Sequence, residues 1–280
     1  MPRHRGLVTI WTSASIALLG ALIGSGLLVG GAGGETVRQG GLQVSFGGSV
    51  APKRLPRTGT TPVSVAIRGR VKALAGGPPP SLRRIAIEVN RLGVLDRRGL
   101  PVCPAGRLRA ASTAAALEAC GPALVGEGRV SGAIVLPEQE PSEFGGRVVA
   151  FNGRLPDGSP AILAHLFTPR PAPLSFVLAF RVERRAGTFG TRLVATVPAQ
   201  TRRTAHITDF SLRLHRVFEA EGERRSYLSA GCPAPAGFTS ATFPLLRAGY
   251  SFVGERSVTD TLVRTCRTGG SRPLPLKVSE

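Results

Sequence analysis

Hydrophobic and polar residues alternate with a period of two along most of the chain. In Leu82–Asn90, Ile85, Ile87 and Val89 fall on one side of an extended strand and Glu88 falls on the other. Because successive side chains of a strand point to opposite faces, this pattern predicts half-buried β-strands. The same pattern predicts strands at residues 42–46, 62–71, 129–136, 147–152, 161–167, 174–182, 191–197, 206–218, 227–230, 250–253 and 258–264.

Short turn-forming pairs separate several of these segments. Asn152-Gly153, Asp157-Gly158 and Gly254-Glu255 favour the positive φ angles of tight hairpins, so neighbouring strands are predicted to be antiparallel. Only residues 114–119 are rich in helix formers, and Ser112 or Thr113 can cap them. The pattern therefore predicts an all-β fold: an antiparallel β-sandwich, for which a jelly roll is one arrangement, with one short helix.

The first residues have the layout of a secretory signal. Arg3 and Arg5 precede an apolar run at residues 16–29, which small residues follow. An apolar span counted from Leu7 is also long enough for an uncleaved membrane anchor, which would be the chain's only contact with a membrane. We predict a signal segment at 1–34, a linker and first strand at 35–61, a β-sandwich domain at 62–267 and a flexible tail at 268–280.

Four cysteines, Cys103, Cys120, Cys232 and Cys266, form an even set. In an exported chain such a set predicts two disulfides, for which three pairings exist. Nearness in sequence favours Cys103 with Cys120, around the helix, and Cys232 with Cys266, around a hairpin. No CxxC pair or nearby histidine supports a metal site, and no cofactor motif occurs.

The charge balance is strongly basic. The chain has 36 Lys and Arg against 17 Asp and Glu, and all but Lys53, Lys72 and Lys277 of the basic residues are arginine. A GC-rich genome explains arginine in place of lysine but not the excess of positive charge. The excess favours an anionic partner, such as a cell-wall polymer or an envelope surface.

Arginine doublets are the candidate contacts for such a partner. Three doublets fall in predicted loops and are able to gather at one end of a sandwich, where guanidinium groups would hold phosphate or carboxylate bidentately. They are Arg97-Arg98, Arg202-Arg203 and Arg224-Arg225. The alternative is a solvated surface. Few aromatic residues are free to stack on bases, so specific nucleic-acid binding is not predicted.

Catalysis has little support in the sequence. His206 and His215 lie near Asp209 and Ser211, but residues 206 and 209 of one strand face opposite sides of a sheet unless a bulge intervenes. The motifs of common hydrolases are missing from the sequence. The chain is therefore predicted not to be an enzyme, with a secreted hydrolase using His206 or His215 as the alternative.

Several segments carry a family resemblance. They are residues 52–56, Leu82–Asn90, residues 99–103, 112–120 with 123–126, and 223–232 (ERRSYLSAGC) with 235–238. In these segments the chain resembles a group of uncharacterised secreted proteins of GC-rich actinobacteria with a four-cysteine, β-rich domain. The resemblance implies secretion and the cysteine framework, and it implies no activity.

These observations together favour one class of function. The chain is predicted to be a secreted or cell-envelope-associated, non-enzymatic β-sandwich that acts as a binding or structural module, with an anionic polymer or surface as its partner.

Overall fold

The computed structural model describes residues 34–108 and 111–269. The predicted signal segment lies outside the described residues except for Gly34. The predicted tail lies outside them except for Thr268 and Gly269.

The described residues are dominated by β-strands. The strands are β1 (Glu35–Gln39), β2 (Leu42–Ala51), β3 (Arg54–Leu55), β4 (Thr61–Pro62), β5 (Ser64–Ala73), β6 (Leu82–Asn90), β7 (Gly93–Leu95), β8 (Cys103–Pro104), β9 (Leu124–Ile134), β10 (Ser142–Arg154), β11 (Pro160–Thr168), β12 (Leu174–Arg184), β13 (Phe189–Thr196), β14 (Ala205–Leu214), β15 (Val217–Ala220), β16 (Glu223–Ser226), β17 (Leu228–Ala230), β18 (Ser240–Phe252) and β19 (Ser257–Thr268). The helices are α1 (Thr113–Cys120) and α2 (Ala199–Thr204), with single 3-10 turns at Ala105–Arg107 and Gly121–Ala123.

Most strands belong to one curled sheet. The strand order is β1-β2-β5-β14-β9-β10-β11-β12-β13-β6-β18-β19-β3. One further strand, β8, pairs with β10 outside this order. The β3–β19 and β8–β10 pairs are parallel, and the other pairs are antiparallel. Two small sheets, β15-β16 and β4-β17-β7, complete the fold.

The curl brings the distant ends of this sheet into contact. The guanidinium of Arg264 on β19 donates to the carbonyl oxygen of Gly48 on β2 (3.0 Å) and reaches the Glu35 carboxylate on β1 (3.5 Å). A Cβ added to Gly48 would lie 3.0 Å from Leu262 Cδ2, so glycine permits this close packing. The facing layers of the fold therefore come from one continuous sheet.

Hydrophobic side chains fill both faces of its central strands. The main core lies inside the curl and includes Phe46 and Tyr250, whose rings meet edge to face at 6.3 Å. A second core lies on the outer face, where α1 covers Val149 and Phe151 of β10 and Leu163 of β11. This burial on both sides explains why β10 and β11 contain long runs of apolar residues.

The predicted fold class and cysteine pairing are confirmed. The fold is all-β and mainly antiparallel, and Cys103–Cys120 and Cys232–Cys266 are disulfide-bonded. Ser112 caps α1, because its Oγ accepts a hydrogen bond from the Ala115 amide (3.2 Å). As predicted, the first disulfide closes around this helix and the second encloses the β18–β19 hairpin.

Strands of the large sheet extend beyond the predicted bounds of the β-sandwich domain at both ends. Residues 35–61 contain β1 and β2. β1 pairs with β2 and β2 pairs with β5, so the large sheet begins before residue 62. At the other end, Thr268 belongs to β19, and its amide donates to the Thr239 carbonyl oxygen. The alternating residues of 42–46 marked only the first half of a strand that continues through Gly47 and Gly48.

Candidate functional site

A polar groove crosses the outer face of the sheet. Its volume is about 1360 Å³, and it is lined by residues of β1, β2, β5, β14, β9 and β10. Strand register sets its side chains in two rows. One row runs Gly47, Arg68, Ser211, Arg129 and Arg147, and the other runs Thr36, Ser45, Arg70, Asp209, Ser131 and Gly145. We call this surface the outer groove.

Alternation along each strand explains why this face is polar. On β5, Arg68 and Arg70 are exposed, whereas Gly69 and Val71 between and after them are buried. On β9, Glu127 and Arg129 are exposed on the outer face, and Val130 is buried in the main core. Glycines on the polar face keep the groove open, since a Cβ added to Gly145 would meet nothing within 4 Å.

Guanidinium groups dominate the charge of the outer groove. It contains Arg68, Arg70, Arg129 and Arg147 against two carboxylates. Arg70 pairs with Asp209 (2.5 Å) and Arg147 pairs with Glu127 (2.8 Å). Both pairs are half exposed, so each contributes at most about 1 kcal/mol and can open to an incoming anion.

Arg129 lies between the other members of its row. It is exposed, directly opposite Ser211 on β14 and Arg147 on β10. It forms no ion pair with any residue that the structure describes. Its guanidinium therefore presents its hydrogen-bond donors to the groove.

Two of the six arginines predicted as polyanion contacts, Arg98 and Arg225, have acidic partners. Arg98 makes a two-pronged ion pair with Asp96 (3.0 Å for both contacts), and these hydrogen bonds lower the pKa of Asp96. Arg225 pairs with Glu221 (2.9 Å) and Glu223 (3.2 Å).

The local structure around these doublets also differs from the prediction. Arg224 and Arg225 lie on β16, not in a loop, because the segment pairs with β15. Arg97 is half-buried in the loop after β7. Arg202 and Arg203 lie on α2 and line a separate pocket, which also contains His206.

Among the residues that the structure describes, no carboxylate contacts either His206 or His215. His206 Nδ1 donates to the Pro79 carbonyl oxygen (2.7 Å), and its ring nitrogens lie 3.4 and 3.5 Å from Ser81 Oγ. His215 is exposed beyond the end of β14. Within residues 34–108 and 111–269, no group of three or more His, Cys, Asp or Glu side chains is arranged to hold a metal ion.

The bulge that the prediction for residues 206 and 209 allowed for is present in β14. A bulge between Ile207 and Asp209 places His206 opposite Ala133 and Asp209 opposite Ser131, which share a face. The two side chains still do not meet, since Asp209 pairs with Arg70.

The outer groove was missed because its arginines are isolated in the sequence. Arg68, Arg129 and Arg147 come from three strands that become neighbours only through non-local pairing. The sequence indicates only that each of these arginines occupies a polar position of an alternating segment. That property does not distinguish them from other exposed strand residues.

The described residues contain no helix with the length and apolar character needed to cross a membrane. Comparison with known proteins adds no functional assignment: no family model, no curated protein and no solved structure matches this chain.

Proposed function

We propose that this protein is an exported, cell-envelope-associated binding module that holds an anionic polymer in the outer groove and performs no catalysis. The observation that carries the proposal is the register of one row of side chains. Arg68, Arg129 and Arg147, with Ser211 among them, lie opposite one another on four adjacent strands.

This row matches the needs of an extended polyanion. Adjacent strands are about 4.8 Å apart, so the row spans roughly 14 Å from β5 to β10. Guanidinium groups bind phosphate, sulfate and carboxylate oxygens through paired N–H donors. The row therefore offers several anionic groups of one chain a line of donors.

Recognition in the outer groove would rest on charge. Phe210 is its only aromatic lining residue among those described, and its side chain packs against the main core. Base or sugar stacking has no platform there. A polymer with regularly spaced charges and no requirement for ring stacking is therefore the proposed partner.

Two observations support export. Both disulfides fit an oxidising compartment. The N-terminal sequence, with Arg3 and Arg5 ahead of an apolar run, has the layout of a secretory signal.

We predict that the triple substitution Arg68→Gln, Arg129→Gln and Arg147→Gln weakens binding to heparin and to a glycerol-phosphate polymer at least about tenfold. The reason is that hydrogen bonds to charged groups contribute about 1.5–3 kcal/mol each. Titration calorimetry at several salt concentrations measures the affinity. The dependence of the affinity on salt should also become less steep, because fewer counterions are released.

The matched control replaces three exposed arginines elsewhere, Arg107, Arg154 and Arg224, with glutamine. It removes the same charge, so it should leave affinity within about twofold if binding is localised. Equal losses in the two triple variants would show that net charge alone attracts the polymer, and the outer groove would then have no special role.

A further inference from the structure

A second basic site lies apart from the outer groove. Three chain segments, Pro80 with Ser81, helix α2 and the β18–β19 turn, line an open surface pocket of about 440 Å³. Its charged side chains are Arg202, Arg203 and Arg256, with His206 beside them. We call it the α2 pocket; none of its lining residues lines the outer groove.

Backbone hydrogen bonds fix the walls of the α2 pocket. The Val253 amide donates to the Ser81 carbonyl oxygen (2.9 Å), which holds the β18–β19 turn against the segment before β6. The turn itself is closed by the Phe252 amide and the Arg256 carbonyl oxygen (2.8 Å). The bond from His206 Nδ1 to the Pro79 carbonyl oxygen fixes the imidazole ring.

No described residue compensates the charges of the α2 pocket. Its described lining residues include no carboxylate. Arg202, Arg203 and Arg256 form no ion pair with any described residue, in contrast to Arg98 and Arg225, which have acidic partners. Arg202 Nε is buried and has no hydrogen-bond acceptor in the described part of the chain.

A buried donor without a protein acceptor is satisfied by water or by a ligand, because leaving it unpaired costs free energy. Three arginine side chains that line one small volume favour a group with several oxygens and at least one full negative charge. The volume suits a small ligand, not a polymer segment.

We propose that the α2 pocket binds a tetrahedral oxyanion, the phosphate or sulfate group of a small molecule. The guanidinium groups of Arg202, Arg203 and Arg256 donate to its oxygens. The site is independent of the outer groove, so either can fail without the other.

The test uses inorganic phosphate and inorganic sulfate as probes, with chloride at matched ionic strength as the reference. Titration calorimetry measures binding, and the chemical shifts of the His206 ring report the location. Both anions are expected to bind and to shift the His206 signals, and chloride is not. Tighter binding of phosphate than of sulfate would favour a phosphorylated ligand, and the reverse would favour a sulfated one.

Arg202→Gln and Arg256→Gln are each expected to weaken binding about tenfold or more, because each removes charge-assisted donors. Arg256 is exposed in a turn, so its variant tests the site even if the Arg202 variant fails to fold. Arg107→Gln and Arg224→Gln, two exposed residues that line neither basic site, serve as controls and should bind normally. No binding of phosphate or sulfate, or equal loss in all four variants, would overturn the proposal.

Discussion

Asp260 is a carboxyl group in an apolar setting. It lies on β19 opposite Ala248, only 7% exposed, and its Oδ2 has no hydrogen-bond donor among the described residues. Burial raises its pKa, an effect that a hydrogen bond from the Thr261 backbone opposes and that the charge of Glu35 adds to. Burial also raises the pKa of the Tyr250 hydroxyl, and the charge of Asp260 raises it further.

We predict that Asp260→Asn stabilises the protein at pH 7. The pKa of Asp260 is higher in the folded protein than in the unfolded chain. Between these two pKa values the folded protein keeps a proton that the unfolded chain has lost. The free energy of unfolding therefore falls as the pH rises through this range. Asparagine has no charge to bury, and we expect the free energy of unfolding at pH 7 to rise by about 1 kcal/mol. Urea unfolding at pH 7 and near pH 3 checks this: the gain should shrink at the lower pH. A variant less stable than the parent at pH 7 would contradict it.

Asn152 and Gly153 show how one residue pair can be misread. The pair predicts a hairpin turn, but both residues lie inside β10. The buried Asn152 amide donates to the carbonyl oxygen of Pro101 (2.9 Å), and a Cβ on Gly153 would lie 2.4 Å from Leu163 Cγ. Asn152 therefore binds a loop that is distant in sequence, and Gly153 permits close packing against Leu163. Neither role is visible from neighbouring residues, whereas Asp157-Gly158 does form the predicted turn, with φ of 82° at Gly158.

The two disulfides close loops of different length. Cys103–Cys120 spans 17 residues and holds α1 on the outer core, and Cys232–Cys266 spans 34 residues around the β18–β19 hairpin. On the loop-entropy account, a longer loop gives the larger constraint on the unfolded chain.

We predict that replacing Cys103 and Cys120 by alanine lowers the free energy of unfolding by about 3 kcal/mol, and that replacing Cys232 and Cys266 lowers it by about 4 kcal/mol. Urea unfolding of each double variant measures the two losses, with the remaining disulfide oxidised as the internal control. Losses below about 1 kcal/mol for both pairs would show that the strands hold these segments without the bridges.

Strand positions were largely predictable because alternation is a local property. Residues Leu82–Asn90 were predicted as a strand with the bounds that β6 has. In contrast, α2 was predicted as a loop, since its six residues include two threonines and two arginines and lack an apolar stripe. The order of strands depends on long-range pairing, such as β6 between β13 and β18, and no pattern within β6 encodes it.

Over the whole molecule, the formal net charge of +19 draws any polyanion toward the protein, so attraction alone does not identify a site. The fold determines where the individual arginine side chains lie. Acidic partners neutralise Arg98 and Arg225 locally, whereas the outer groove keeps Arg129 exposed between Ser211 and Arg147. In the proposed function, this arrangement of arginines, and not the total charge, selects an anionic polymer.

The most direct measurement blocks the outer groove without changing the charge. In Gly145→Trp the added side chain starts in open space at the groove, and Gly106→Trp, equally open but outside the groove, is the control. Titration of both variants with the glycerol-phosphate polymer at about 0.15 M salt, where long-range attraction is screened, compares them at equal net charge. The proposed site predicts that Gly145→Trp binds at least about tenfold more weakly than the parent while Gly106→Trp binds normally, since the indole excludes the polymer from the arginine row. Parent-like affinity in a correctly folded Gly145→Trp protein would contradict binding in the outer groove.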